Sequence, residues 1–150
     1  MKSAIVYASR HHGNTEKLVK ELAERHGIDL INAELSAEIN LDAYDVIGFA
    51  SGIDFGQFYP FVTAIAAQMP AGKCTYALYT CAKNQARYGN EIEQAAQARN
   101  CRYLGKFGCR GFNTYGPLKL IGGMNKGCPG PEEIAAAVEF YEKMVMELVQ

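Results

Sequence analysis

The run Tyr44–Ala50, YDVIGFA, is apolar almost throughout, and it constrains the chain more than any other stretch. A strand with one face in water alternates polar and apolar residues; a strand covered on both faces need not. Four more short runs can form strands: SAIVYA (Ser3–Ala8), IDLINAE (Ile28–Glu34), KCTYALYT (Lys73–Thr80) and YLGKFGC (Tyr103–Cys109). Between them, apolar residues recur at helical spacing. Leu18, Val19, Leu22 and Ala23 share one face of a first helix. Phe61, Val62, Ile65 and Ala66 share one face of a second, with Pro60 tolerated in its first turn. A third helix is predicted over Glu91–Arg99, and a last one from about Pro131 that buries Ile134, Val138, Tyr141, Val145 and Leu148. Strands that alternate with helices predict an α/β fold, a parallel sheet with helices on both faces and right-handed crossovers.

No repeat, linker or low-complexity stretch interrupts this pattern, and 150 residues suit one domain spanning 1–150. Fifteen basic against sixteen acidic side chains leave a net charge of −1, which argues against a nucleic-acid partner. No apolar run approaches the roughly 20 residues of a membrane span. The N-terminal MKSAIVYAS reads as a first strand rather than a signal peptide. Cys74, Cys81, Cys101, Cys109 and Cys128 form neither a CxxC pair nor a zinc-like cluster. They fit reduced thiols in a cytoplasmic protein with no metal, acting as small buried hydrophobes; redox chemistry at Cys81, Cys109 or Cys128 is the alternative.

In a sheet of this kind ligands bind beyond the carboxyl ends of the strands, where the strand order reverses. The loop after the first strand reads Ser9-Arg10-His11-His12-Gly13-Asn14-Thr15. A helix starting near Gly13 would offer unpaired N–H groups and the positive end of its dipole to an anion, with Ser9, Asn14 and Thr15 as neutral donors. A plain helix cap would also use Asn and Thr, but does not explain hydroxyls on both sides of a glycine. No GKS or GKT marks a nucleotide P-loop, and no GxGxxG marks a dinucleotide fold. Arg10, His11 and His12 would strengthen phosphate binding, and the histidines would make it depend on pH, unless they point into solvent.

Ser9 followed by Gly13-Asn14-Thr15, between a strand IVYAS and an amphipathic helix, resembles the phosphate loop of the flavodoxins. In that family the loop commonly reads Ser/Thr-x-Thr/Ser-Gly-x-Thr; here it is one residue longer and cationic. SGIDFGQF and CRGFNTYGPLKLIGGMNKGCPGPEE resemble segments of bacterial flavodoxin-like proteins, and the length and alternation match from end to end. The resemblance implies a flavodoxin-like three-layer sandwich, a five-stranded parallel sheet of order 2-1-3-4-5, and FMN as cofactor. It implies a phosphate site at Ser9–Thr15. One wall of the isoalloxazine site would come from Ser51, Gly52, Ile53, Asp54, Phe55 and Gly56. The other would come from Thr80, Cys81, Ala82 and Lys83.

Within the second loop, Phe55, Phe58 and Tyr59 offer faces for a flat ring, while Phe58 better suits packing of the second helix on the sheet and Phe55 suits either role equally. Gly52, and after it Gly56, is the candidate for the flexible peptide whose carbonyl meets flavin N5–H in the family. Lys83 or Arg87 near flavin N1 would raise the potential, and Asp54 would lower it. Between Cys109 and Glu132 lies a long glycine-rich segment bearing Phe112, Tyr115, Leu118, Leu120, Ile121 and Met124. Such loops are uncommon in compact domains and often functional; this one shields the flavin, shapes a substrate pocket, docks a partner, or packs on itself as an Ω-loop.

The expected function is electron transfer by an FMN-binding protein, carrying one or two electrons between redox partner proteins or to a small-molecule acceptor. The alternative is an FMN-dependent reductase or oxidase acting on a quinone, a porphyrinogen or NAD(P)H. The near-zero charge departs from the acidic character of many flavodoxins, so a partner would be recognised differently. A flavin-free domain of the same topology is a third reading. A receiver domain would need acidic residues where Tyr7-Ala8-Ser9 and Ala50-Ser51 stand, and a small phosphatase would need a cysteine in the first loop.

Overall fold

The computed structural model describes every residue except Ala37 and Tyr115. Strands β1 (Ser3–Ala8), β2 (Asp29–Asn32), β3 (Val46–Asp54), β5 (Cys74–Cys81) and β6 (Arg102–Arg110) form a parallel sheet of order β2-β1-β3-β5-β6. Helices α1 (Asn14–His26), α2 (Pro60–Ala66), α3 (Asn90–Ala98) and α4 (Pro131–Leu148) alternate with them. This is the expected five-strand order, with one addition. A two-residue strand, β4 (Gln57–Phe58), pairs antiparallel with the end of β3.

Side chains alternate across the sheet, so neighbouring residues of one strand belong to different cores. Ile5 and Tyr7 pack with Leu18, Leu22, Ile134 and Tyr141 beneath α1 and α4. Val6 and Ala8 pack with Ile47, Phe49, Val62 and Ile92 beneath α2 and α3. β3 is buried from Val46 to Gly52, as its continuous apolar run requires.

Two boundaries differ from expectation. β2 is shorter than Ile28–Glu34, because Asn32 accepts the Glu34 N–H through Oδ1 and turns the chain. β3 runs four residues past Ala50, because the ladder to β5 continues through Ser51↔Tyr79 and Gly52↔Thr80. Phe61, expected on the buried face of the second helix, is instead exposed beneath the Arg10 guanidinium, 4.9 Å from its ring centroid.

The edge strand β6 carries an irregularity. Its register against β5 shifts between Thr75↔Tyr103 and Ala77↔Lys106, with Gly105 at φ 123°. Lys106 then reaches off the strand to the carbonyl oxygens of Ala86 and Tyr88 and to Asn90 Oδ1.

Gly48 in β3 is required by a close approach. A Cβ there would lie 2.5 Å from Tyr76 Cζ, and the Tyr76 ring is fully buried between β3 and α4, against Phe140 and Tyr141. Gly48→Ala is expected to destabilise the fold by about 1–3 kcal/mol through overpacking. Urea denaturation measures this, and an unchanged midpoint would mean that the Tyr76 ring yields freely.

Candidate functional site

The loop between β1 and α1 is built from local geometry. His12 and Gly13 both adopt left-handed backbone, with φ of 56° and 64°. Glycine tolerates this; His12 does so at a cost, the kind of strain that concentrates at functional loops. The Glu16 N–H donates to Ser9 Oγ at 3.1 Å, and Lys17 N–H returns to the Gly13 carbonyl, so Ser9 caps the helix from outside it. Among the described residues, no partner satisfies the N–H groups of His12, Gly13 and Thr15. These donors stand at the positive end of α1.

Around this loop lies a polar hollow lined by Ser9, Arg10, His11, Asn14 and Thr15 on one side and by Gly52, Ile53 and Tyr59 on another. Thr80, Cys81, Ala82 and the stretch Gly111–Asn113 complete it. A second, wider groove of about 440 Å³ opens between the β3–β4 hairpin and the loop after β5, lined by Asp54, Phe55, Gly56, Lys83 and Tyr88. Ile53, Cys81, Ala82 and Asn113 line both. The two adjoin along these residues and together make up a trough, polar at α1 and broader at the hairpin. The wider end falls in the ~300–1,000 Å³ range of small-molecule sites.

Most expected site residues meet here, though not all in their expected form. Ser51 to Asp54 are strand residues, not a loop. Ser51 is buried, donating from Oγ to the Gly52 carbonyl and accepting from the Tyr59 N–H, so it faces away from the trough. Gly52 is held in the ladder, with a Cβ position only 2.6 Å from Tyr59 Oη. The turn itself is Phe55-Gly56, with positive φ at both residues (51° and 77°), as a tight two-residue hairpin turn needs. Thr15 Oγ1 and Thr80 Oγ1 lie 2.9 Å apart, tying the start of α1 to the end of β5.

Arg10 is occupied. Its guanidinium forms a two-point pair with Glu34 (Nε–Oε1 3.0 Å, Nη2–Oε2 3.3 Å), which further raises its pKa. Cys81 belongs to the core under α2 and α3, and Cys109 to the core under α1 and α4. Burial pushes their thiols up to about 11 and about 12. Cys128 Sγ donates to Glu133 Oε1 at 2.8 Å, which raises its pKa too. All three favour the protonated thiol; Cys81 and Cys109 are buried as expected, whereas Cys128 is only half-buried.

Sequence reasoning missed Gly111 and Asn113 as lining residues, because Asn113 is one polar residue in a long segment whose apolar side chains dominate the pattern. Tyr59, expected as a face for the ring, lines the polar end instead. The structure gives that segment a definite course, apart from Tyr115, which lies outside the described residues. Asn113 and Met124 exchange backbone hydrogen bonds of 2.8 and 2.7 Å, and Asn125 Nδ2 donates to the Ala82 carbonyl at 2.7 Å. Phe112–Thr114 crosses the polar end as a strap. Asn14 Nδ2 donates to the Phe112 carbonyl at 2.8 Å, His11 Nε2 accepts the Thr114 N–H at 3.1 Å, and His12 Nε2 lies 2.9 Å from Thr114 Oγ1. Under the strap the accessible volume is about 20 Å³, roughly room for one water.

With this geometry described, similarity becomes informative. No family model matches the chain. The uncharacterized protein MJ0298 of Methanocaldococcus jannaschii is 31% identical over 148 residues, covering 97% of this chain and 99% of that protein. The chain belongs to the family of this archaeal protein. The fold of the chain is flavodoxin-like. The rubredoxin oxygen:oxidoreductase of Desulfovibrio gigas superposes with a TM-score of 0.70 at 12% identity, over 98% of this chain but 36% of that one. A flavodoxin, WrbA-like protein from Agrobacterium tumefaciens gives 0.62 at 13% identity, over 97% of each chain. A flavoprotein in complex with FMN from Lactobacillus acidophilus gives 0.56 at 13% identity, over 73% of this chain and 93% of that one. Among the described residues no helix is long and apolar enough to cross a membrane.

The strap should respond to pH. To accept the Thr114 N–H, His11 Nε2 needs its lone pair, so protonation breaks that bond. Burial first, then repulsion from His12, lowers the His11 pKa below 6.5, with Asp54 opposing. The unfolded or detached loop therefore binds the proton more readily. The contact contributes fully above 6.5 and is lost as pH falls through the lower folded value. Hydrogen exchange at the Thr114 amide, corrected for its intrinsic rate, should accelerate between about pH 7.5 and about pH 5 in the wild type and not in His11→Ala. Equal protection at both pH values would remove His11 as the latch.

Proposed function

We propose that the chain is a flavoprotein, folded as one domain, that binds FMN in this trough and carries one or two electrons between redox partners. The observation that carries the reading is the trough itself, in which a hollow with a phosphate-type donor set adjoins a wide groove with an exposed aromatic. The donor set suits a phosphate monoester: the N–H groups of His12, Gly13 and Thr15, the hydroxyls of Ser9 and Thr15, and the dipole of α1. Space at that end requires the Phe112–Thr114 strap to give way, exchanging its hydrogen bonds to His11 and Asn14 for those of the cofactor.

At the wide end Phe55, Lys83 and Asp54 would border the ring, and backbone N–H groups from Cys81 to Lys83 would face its polar edge. With Gly52 fixed in the ladder, the Phe55–Gly56 turn is the peptide free to adjust to a ring beside it. When bound, FMN supplies the one- and two-electron chemistry; the residues here hold it, set the local charge and keep its surroundings dry. The flavodoxin-like proteins that share this fold include one solved with FMN, which supports the cofactor assignment. A reductase acting on a small acceptor is the second reading. It is favoured by Asn113, which lines the groove and would help shape a pocket for such a molecule.

The test is a visible spectrum of the purified protein after incubation with FMN and dialysis, followed by titration with FMN and with riboflavin. A retained, shifted flavin spectrum and a clear preference for FMN are expected. Thr15→Ala should weaken FMN by about 1.5–3 kcal/mol, the usual worth of a hydrogen bond to a charged group, and leave riboflavin unchanged. A protein that retains no flavin, or that binds the two equally, would overturn the assignment.

A further inference from the structure

The small net charge of the chain hides a separation. The three segments that contribute lining residues to the wide groove, 51–59, 80–90 and 111–127, carry four basic side chains, Lys83, Arg87, Lys119 and Lys126, against one acidic, Asp54. The rest of the chain carries eleven basic against fifteen acidic. Among the described residues none of those four cations pairs with a carboxylate; Arg87 bonds only to Gln85 Oε1 and lies over the Tyr88 ring. Elsewhere, among the described residues, four of the eleven basic side chains are matched: Arg10 with Glu34, Lys20 with Glu16, Arg25 with Glu21 and Lys143 with Glu139.

The same segments also expose apolar side chains. Phe55 is 96% exposed, Leu120 88% and Ile121 76%, the last two in the short 3-10 helix Gly116–Ile121. That helix leads directly into Met124 and Asn125, which are bonded to Asn113 and Ala82 in the groove wall. Large apolar groups held in water gain nothing for the isolated chain and mark contact surfaces. Unpaired cations and exposed apolar groups carried together on these segments suit a wide complementary surface more than a small anion.

We propose that this face docks an acidic electron-transfer protein, with Leu120 and Ile121 at the centre and Lys119, Lys126 and Arg87 on the rim. The proposal rests on the flavoprotein reading above and names its partner class. The field at the groove mouth would steer an anionic partner toward the exposed end of the cofactor and away from the acidic helical flanks. Basic partners would be repelled from the same place.

The test uses the full chain incubated with FMN and titrated calorimetrically with a plant-type ferredoxin, a small acidic iron–sulfur protein, at about 20 mM and about 200 mM NaCl. Binding at low salt, weakened about tenfold or more at high salt, is expected. Lys119→Glu with Lys126→Glu should weaken it at least about tenfold, whereas Lys17→Glu with Lys143→Glu, an equal charge change on the helical flank, should leave it within about twofold. Leu120→Ser with Ile121→Ser should weaken binding and keep the salt dependence. Failure to bind ferredoxin, equal losses from the two lysine pairs, or preference for basic cytochrome c would overturn the docking face. So would binding of NADPH alone that the Lys119 and Lys126 reversal abolishes, since that makes the cations a small-anion site. FMN retention, read from the absorption of the same samples, separates the two ideas: flavin kept without ferredoxin binding sinks only the docking face, and ferredoxin bound without flavin sinks only the flavoprotein reading.

Discussion

Everything at the candidate site hangs from the pairing of β3 with β1 on one side and β5 on the other. The register Ala8↔Ser51 sets the end of β1, and hence the α1 loop, beside the end of β3. The register Gly52↔Thr80 sets the loop after β5 beside the hairpin. These ladders lie in a sheet buried on both faces, so a one-residue slip would turn every apolar side chain to the wrong core. The walls of the trough are thereby fixed to one another by backbone hydrogen bonds before any side chain at the mouth contributes. The Thr15–Thr80 contact then fastens α1 to the same frame.

Much of this was legible in the sequence, and the parts that were not share a physical cause. YDVIGFA announced a doubly covered central strand because burial on both faces removes alternation. Ser9 and Gly13-Asn14-Thr15 announced a helix start with spare donors because capping and left-handed backbone have local chemical requirements. The end of β3 was not legible. Ser51 and Gly52 look like turn residues in isolation, and what keeps them extended is a ladder to β5, more than twenty residues away. The employment of Arg10 was hidden for the same reason, since Glu34 lies across the sheet edge and nothing near position 10 in sequence points to it. Hydrogen bonds between distant segments leave little trace in local pattern.

The long segment after β6 shows both sides of this. Its glycines and apolar residues marked it as more than a tether. Its course depends on single polar contacts, His11 to Thr114, Asn14 to Phe112 and Asn125 to Ala82. Each joins it to a wall of the trough. The segment thus closes the polar end and builds a rim at the wide end, two tasks that a shorter connection between β6 and α4 could not combine.

The irregularity in β6 has a different kind of importance. An edge strand presents a row of unpaired backbone groups on which another chain can build. Here the register shift at Gly105 breaks that row, and Lys106 places a charge close by while engaging the 80–90 loop. The opposite edge, β2, is only four residues long. Neither margin offers a flat template, so the sheet is guarded against growing from molecule to molecule into a fibril, even though the mouth of the trough leaves apolar side chains in water.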